Sequence, residues 1–329
     1  MRRIRLLLAP LTLLLGACAE YAPYDSLDPA GPVARRIYEL NIPVFWIATA
    51  IFVLVEGALV VFMIVFRDKK GRGLPRQTHG NTALEITWTI IPALILAYIG
   101  FATVKTIFQL RAVPPGAMPI TVEANQWWWE FRYPEQGIVT ANEMHIPVDR
   151  PVHLTLESVD VIHSFWVPRL AGKQDVVPGR THQLSFTAVE PDIYFGECAE
   201  FCGISHALMR LRVIAQTEQD FQAWVEGQQQ QAREPTEALA RQGQEIFLAG
   251  QCVQCHTIQG TPADGEVGPD LTHFASRNTL AAAILENTPE NLAAWLRNPP
   301  EIKPGAKMPN LGLSPEDINA LVAYLESLR

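Results

Sequence analysis

Cysteine is scarce in this chain: five in 329 residues, at positions 18, 198, 202, 252 and 255. An odd number cannot all pair, so at least one thiol serves something other than a disulfide. Methionine is scarcer still where it matters, because Met308 is the only one after His256. Long apolar runs are absent beyond residue 109, so no further membrane span is expected there. Basic excess is also lacking in that part. Residues 120–226 hold 7 Lys+Arg against 15 Asp+Glu, and residues 238–329 hold 6 against 10. This acidity disfavours nucleic acid and anionic lipid as partners and suits a basic protein drawn in by electrostatic steering.

Apolar content is what the chain has in quantity, at 48%, and it is concentrated near the N-terminus. Met1-Arg-Arg-Ile-Arg5 precedes an apolar run from Leu6 to Leu15 and then Gly16-Ala17-Cys18, the layout of a signal peptide over 1–17. Leu15-Gly16-Ala17-Cys18 resembles the lipobox of bacterial lipoproteins, which implies a lipid-modified Cys18; cleavage beside an incidental cysteine is the alternative. A transmembrane hairpin follows over 36–110, with spans at about 43–66, carrying the single acid Glu56, and 86–108, carrying Lys105 near its far end. Both are long enough for a hydrocarbon core about 30 Å thick. The connection holds Arg67, Lys69, Lys70, Arg72 and Arg76 against Asp68 and Glu85. The positive-inside rule therefore places it in the cytoplasm and everything after residue 109 on the outer side. Glu56 is costly in lipid and is expected to face a partner subunit.

From 115 to 226 the pattern changes to short β-rich runs (ITVEA, WWWEFRY, EMHIPV, VHLTLES, HQLSFTA, IYFGE, MRLRVI) broken by Pro, Gly, Asp and Asn, the signature of an all-β sandwich. A helical stretch, EQDFQAWV, ends it. Residues 227–237, glutamine-rich and closing near Pro235, read as a linker.

Within the sandwich, GECAEFCGISHALM at 196–209 gathers Cys198, Cys202, His206 and Met209, and His163 in SVDVIHSFWVP is a distant partner. Two thiolates, two imidazoles and a thioether form a soft N/S ligand set suited to copper. A closed tetrahedral zinc site on the two cysteines and two histidines and a Cys198–Cys202 disulfide both remain open on spacing alone.

C-A-E-F-C-G-I-S-H-A-L-M, with the upstream H-S-F and QWWWEF, closely resembles subunit II of the haem-copper cytochrome c oxidases and its cupredoxin domain, over residues 36–226. The resemblance implies a dinuclear copper A centre. In it Cys198 and Cys202 bridge two coppers, His163 and His206 each cap one, and Met209 and the Glu200 carbonyl supply weak axial contacts. It further implies that Trp127 is a surface aromatic where electrons arrive, and that the Glu200 carboxylate reaches a magnesium ion shared with subunit I. Glu85, in E-x-x-W-T-x-x-P, would mark the mouth of a proton path in that subunit.

Residues 238–329 read as an all-α cytochrome c domain. Cys252-Val-Gln-Cys255-His256 is the C-x-x-C-H signature of covalent c-type haem attachment. Met308 is the expected second axial ligand, with His273 competing. Thr288-Pro-Glu and Ser314-Pro-Glu-Asp317 are helix starts, and Ile318, Leu321, Val322 and Leu325 share an apolar face. GPDL at 268–271 resembles the cytochrome loop in which a proline carbonyl, here Pro269, accepts the haem histidine's ring N–H. Arg277 is a candidate contact for a haem propionate.

These readings imply subunit II of a proton-pumping terminal oxidase in a bacterial inner membrane, of the type with a fused cytochrome c domain. A basic c-type cytochrome would be the donor, and subunits I and III the membrane partners, with oxygen reduced in subunit I. This chain lacks the histidine-rich membrane helices of an oxygen site. A membrane-tethered electron shuttle, or a component of a nitrogen-oxide reductase using the same copper motif, is the alternative.

Overall fold

The computed structural model describes residues 22–67, 77 and 79–329. The expected signal peptide, Cys18 and most of the basic connection lie outside the described residues. Two long helices come first, α1 (Pro32–Val65) and α2 (Thr82–Arg111). Pro32 presets the first turn of α1, and the Asn81 side chain accepts from the N–H groups of Ala83 and Leu84, capping α2. At 34 and 30 residues they run to about 50 and 45 Å, longer than the expected spans. Backbone hydrogen bonding carries each helix past the apolar stretch into polar residues such as Arg36 and Glu39. Their apolar side chains point outward on all sides, as in Leu54 and Phe101, which suits lipid or other subunits. The root of α1 is fixed on the β domain, where Ala30 and Ala34 donate to the carbonyls of Arg169 and Leu170 and Arg169 pairs with Asp28 and Asp192.

The β domain is a sandwich of two five-stranded sheets. One holds β1 (Met118–Asn125), β2 (Trp128–Tyr133), β3 (Ile138–Ala141), β5 (Val152–Ser158) and β8 (His182–Phe186), in the order β3-β2-β1-β5-β8. The other runs β4-β10-β9-β6-β7, from β4 (Glu143–Pro147), β6 (His163–Trp166), β7 (Gln174–Val176), β9 (Asp192–Cys198) and β10 (Arg210–Gln216). Alternation along β1 sends Met118, Ile120, Val122 and Ala124 inward to meet Phe131, Leu154, Phe165 and Leu211. Two register facts place the site. Phe165 on β6 lies opposite Cys198 on β9, and Arg210 on β10 lies opposite Glu197. His163, Cys198 and Met209 therefore converge at one end of this sheet.

Helix α3 (Glu218–Gln228) closes the sandwich, its first turn capped by Thr217. Trp224 stacks on His145 at 4.4 Å between centroids. Residues 229–237 beyond it form no helix or strand and are tied to the C-terminal domain by Ala232 N–H to the Gln259 carbonyl and by His273 Nε2 to the Gln230 carbonyl.

That domain contains α4 (Ala238–Ala249), α5 (Pro289–Arg297), α6 (Pro299–Ile302) and α7 (Pro315–Leu325). Thr288 and Ser314 cap α5 and α7 as read from sequence. Ile318, Leu321, Val322 and Leu325 are buried against Phe247, Ile258 and Leu292. One departure from an all-α domain is a two-residue pairing, β11 (Thr279–Leu280) with β12 (Leu285–Glu286). Ala281, Ala282 and Ala283 between them all adopt positive φ, unusual for a residue with a Cβ. The outer two carbonyls are held from outside: Lys303 Nζ donates to Ala281 at 3.2 Å and Arg212 Nη2 to Ala283 at 3.3 Å. Buried Glu143 on β4 accepts from the Asn278 N–H and side chain and from the Thr279 hydroxyl. Side chains across the junction thus fix the two domains together.

Candidate metal centre and adjoining cavity

Cys198, at the end of β9, and Cys202, in the following loop, bring their Sγ atoms to 3.8 Å. Both are free thiols, so the disulfide reading is not borne out. His163 Nδ1 lies 3.9 Å from the Cys198 sulfur, and His206 Nδ1 lies 3.6 Å from that of Cys202. Met209 Sδ is 3.9 Å from Cys202 Sγ, and the Glu200 main-chain carbonyl accepts from Cys198 Sγ at 3.2 Å. Ligand atoms of His163, Cys198 and Cys202 all fall within 4.8 Å of one another. Each imidazole sits beside its own sulfur, an arrangement that suits two metals sharing two thiolates better than one tetrahedral ion, for which all four donors would converge.

The surroundings prepare these donors. Cys198 is held well below the usual thiol range, first by the hydrogen bond from Cys202 and then by those from His163 and the backbone, which more than offset burial. The hydrogen bond to Cys198, then burial, then the Cys198 charge push Cys202 up, so Cys202 holds its proton while Cys198 gives its proton up. Asp160, which sequence reasoning missed, accepts from His163 Nε2 at 2.8 Å. This turns Nδ1 toward Cys198, the carboxylate–histidine pairing common behind metal ligands. Burial raises Asp160, but hydrogen bonds from His163, Gln126 N–H and Val161 N–H dominate and hold it at about 2. Its position three residues before His163, a ligand candidate, was the available signal.

Trp127 is not the exposed aromatic expected from sequence: it is only 8% exposed, because Lys303 and Gly305 of the C-terminal domain and Gly203 of the metal loop pack against it. Its indole N–H donates to the Cys202 carbonyl at 3.0 Å, and Gln126 Nε2 donates to the same oxygen at 2.6 Å. Trp128 also faces the other domain, whereas Trp129 is core, edge-on to Phe165.

On the far side of Trp127 lies a largely apolar cavity. Cys252, Cys255, His256 and Met308 line it with Phe247, Leu296, Leu321 and the two tryptophans. His256 Nδ1 bonds the Pro269 carbonyl at 2.8 Å, leaving Nε2 for iron, and burial keeps the ring neutral by pushing it down. Met308 is on the wall, whereas His273 is turned to the linker carbonyl of Gln230. Arg277 is also on the wall, bonded to the Asp270 carbonyl. A largely apolar cavity lined by two thiols, an oriented imidazole and a thioether fits a covalently attached haem.

Two expected residues stand apart. Glu85, in the first turn of α2, is roughly 40 Å along the helix from the β domain, and Glu56 is in the last third of α1. The Glu200 side chain is half exposed beside the centre.

Comparison with known proteins covers nearly the whole chain. The family described as cytochrome c oxidase subunit II, transmembrane domain, matches residues 25–106, its periplasmic domain matches 137–216, and cytochrome c matches 240–329. Cytochrome c oxidase subunit 2 of Alkalihalophilus pseudofirmus is 40% identical over 327 residues, 97% of this chain and 95% of that one. The Bacillus subtilis protein of the same name is 36% identical, covering 99% and 98%. Quinol oxidase subunit 2 of Bacillus spizizenii is 36% identical over a smaller part, 69% of this chain and 73% of that one. With both halves of the subunit and the appended cytochrome matched in one order, the chain belongs to the cytochrome c oxidase subunit II family.

Proposed function

We propose that this chain is the electron-accepting subunit of a proton-pumping terminal oxidase. Electrons from a basic c-type cytochrome arrive at a haem c on the C-terminal domain, pass to a dinuclear copper A centre and leave for subunit I, where oxygen is reduced. The observation that carries this reading is Trp127: one indole walls the cavity of Cys252, Cys255, His256 and Met308 and donates a hydrogen bond to Cys202 of the metal loop. When bound, the haem and the copper pair each take up and release a single electron.

The chain's own residues supply the rest. Cys252 and Cys255 would anchor the haem, with His256 and Met308 as axial ligands and Pro269 and Arg277 behind them. Cys198, Cys202, His163, His206, Met209 and the Glu200 carbonyl would hold the coppers. Burial of both cysteines, His163 and Met209 excludes water and keeps the donors from moving between oxidation states. The Glu200 carboxylate, beside the centre, is the proposed ligand of a magnesium ion shared with subunit I. Glu85 marks the proposed proton-path mouth at the other end of the hairpin. In this reading the chain is anchored in the bacterial inner membrane by α1 and α2, both large domains face the periplasm, subunits I and III are its neighbours, and Cys18 carries lipid.

Metal analysis and electron paramagnetic resonance on the purified full chain in its complex test this. Two coppers sharing one unpaired electron and one low-spin haem iron are expected. Stoichiometric zinc, or an isolated single-copper spectrum, overturns the site. A chain that purifies without a large haem-bearing subunit, and restores no oxygen uptake when one is supplied, would be a tethered shuttle instead.

A further inference from the structure

Lys303 is the most deeply buried lysine among the described residues, 4% exposed. It follows α6, and its Nζ donates to the main-chain carbonyls of Trp127 and Ala281. Among the described residues no carboxylate forms an ion pair with it. The Cys202 sulfur favours this ammonium through space, but its hydrogen bonds go only to carbonyls and burial outweighs that attraction, so the charge stays costly unless a further anion joins it. Burial accordingly pushes Lys303 down to about 7.

On the side away from Cys202, an anion can reach Lys303 from the cavity. Lys303 lines the cavity of Cys252, His256 and Met308. Of the charged side chains on that wall, Arg277, Lys303 and Lys307 are all cations, and no aspartate or glutamate lines it. Lys307 is already engaged, 3.6 Å from Asp160, and Arg277 is bonded to a main-chain carbonyl. Arg277 also has the carboxylates of Asp270 and Glu143 nearby, which leaves Lys303 as the cation on this wall with no carboxylate partner among the described residues.

We propose that Lys303 binds a propionate of the haem and, through its bond to the Trp127 carbonyl, ties that propionate to the copper side of the domain junction. This rests on the haem reading above. The segment holding Lys303 is seated to do so from both sides. Ser205 of the metal loop donates to the Pro304 carbonyl. Gly305 has φ +78°, and a Cβ there would fall 2.8 Å from the Trp127 ring, so the segment lies flat on the indole.

The test uses the full-length subunit in its complex and reads the haem midpoint potential by spectroelectrochemical titration. Lys303→Gln keeps a donor for the carbonyls and removes the charge. Loss of a nearby cation favours the more positive ferric haem, so the potential should fall by about 59 mV, a tenfold change in the one-electron equilibrium. Lys303→Arg should stay near the wild-type value, and Lys307→Met, whose charge already has a partner, should move it less than Lys303→Gln. A Lys303→Gln subunit with full, low-spin haem and an unchanged potential overturns the proposal. If Lys303→Gln takes up no haem, redox-difference infrared spectra of wild type and Lys303→Arg with isotope-labelled propionates decide: identical carboxylate bands overturn it, a shifted band supports it. Absence of covalent haem from the wild type would instead overturn the haem reading itself.

Discussion

The indole N–H of Trp127 and the amide of Gln126 converge on the single carbonyl of Cys202, so consecutive residues of the β1–β2 turn hold the metal loop from one side. The same tryptophan is roofed by the segment that carries Met308. Replacing Trp127 with Phe removes one of two donors and leaves the carbonyl satisfied by Gln126. The stability cost is therefore expected at the low end for a lost hydrogen bond, about 1 kcal/mol. The copper spectrum should persist, since Trp127 supplies no ligand, while flash-induced electron equilibration between the haem and copper slows. Unchanged equilibration in a Trp127→Phe subunit would remove this residue from the path.

Asp160 links both metal sites without touching either. It bonds His163 Nε2 and pairs with Lys307, the residue before Met308. Asp160→Asn keeps a hydrogen-bonding oxygen but loses the charge that orients the imidazole and opposes Lys307. Copper affinity, measured by competition with a chelator, should drop about 10- to 100-fold. Asp160→Ala should lose at least as much; equal affinity in all three forms would reduce Asp160 to a surface acid.

Much of this was legible because the chemistry is local in sequence. Cys198, Cys202, His206 and Met209 occupy one loop, Cys252 to His256 another, and the helix starts at Thr288 and Ser314 need only their own neighbours. What could not be read depends on how the two domains meet. Trp127 was expected at the surface because nothing in QWWWEF reveals that Lys303 and Gly305 will pack against it. Lys303, in a proline-flanked loop, reads as solvated until α6 turns it inward. The linker composition gives no sign that Gln230 and Ala232 are bonded to the domain that follows. Periodicity also gave no hint of the β11–β12 pairing, since its three alanines favour a helix intrinsically and are held in positive φ by Lys303 and Arg212.

His145 gives the β domain an acid-sensitive point. Burial pushes it down from 6.5 to about 4, against the bond to Gln216. The folded state thus favours the neutral ring stacked on Trp224. Between pH 6.5 and 4 the unfolded chain binds a proton the folded chain refuses, so this contribution is complete above 6.5 and is lost as pH falls toward 4. A difference of 6.5 − 4 limits the loss to about 3 kcal/mol. Urea unfolding at pH 7 and pH 4.5 should show a smaller acid penalty in His145→Phe than in wild type, and equal penalties would assign the acid sensitivity to other groups.

Gly268 separates haem attachment from iron ligation. A Cβ built there lies 2.7 Å from His256 Cε1 and 3.0 Å from Nδ1, inside contact distance for a ring already fixed by the Pro269 carbonyl. Its φ lies outside the left-handed region, so alanine is acceptable to the backbone and the cost is steric. Gly268→Ala must therefore move the imidazole, the loop or both. The added methyl meets the His256 ring and neither cysteine sulfur, so both thioethers should still form and haem should remain bound on denaturing gels. The iron should lose its low-spin spectrum as His256 leaves the axial position, with copper content unaffected. A low-spin Gly268→Ala protein with wild-type potential would mean that the loop yields instead, and that the Pro269 contact does not set the ring.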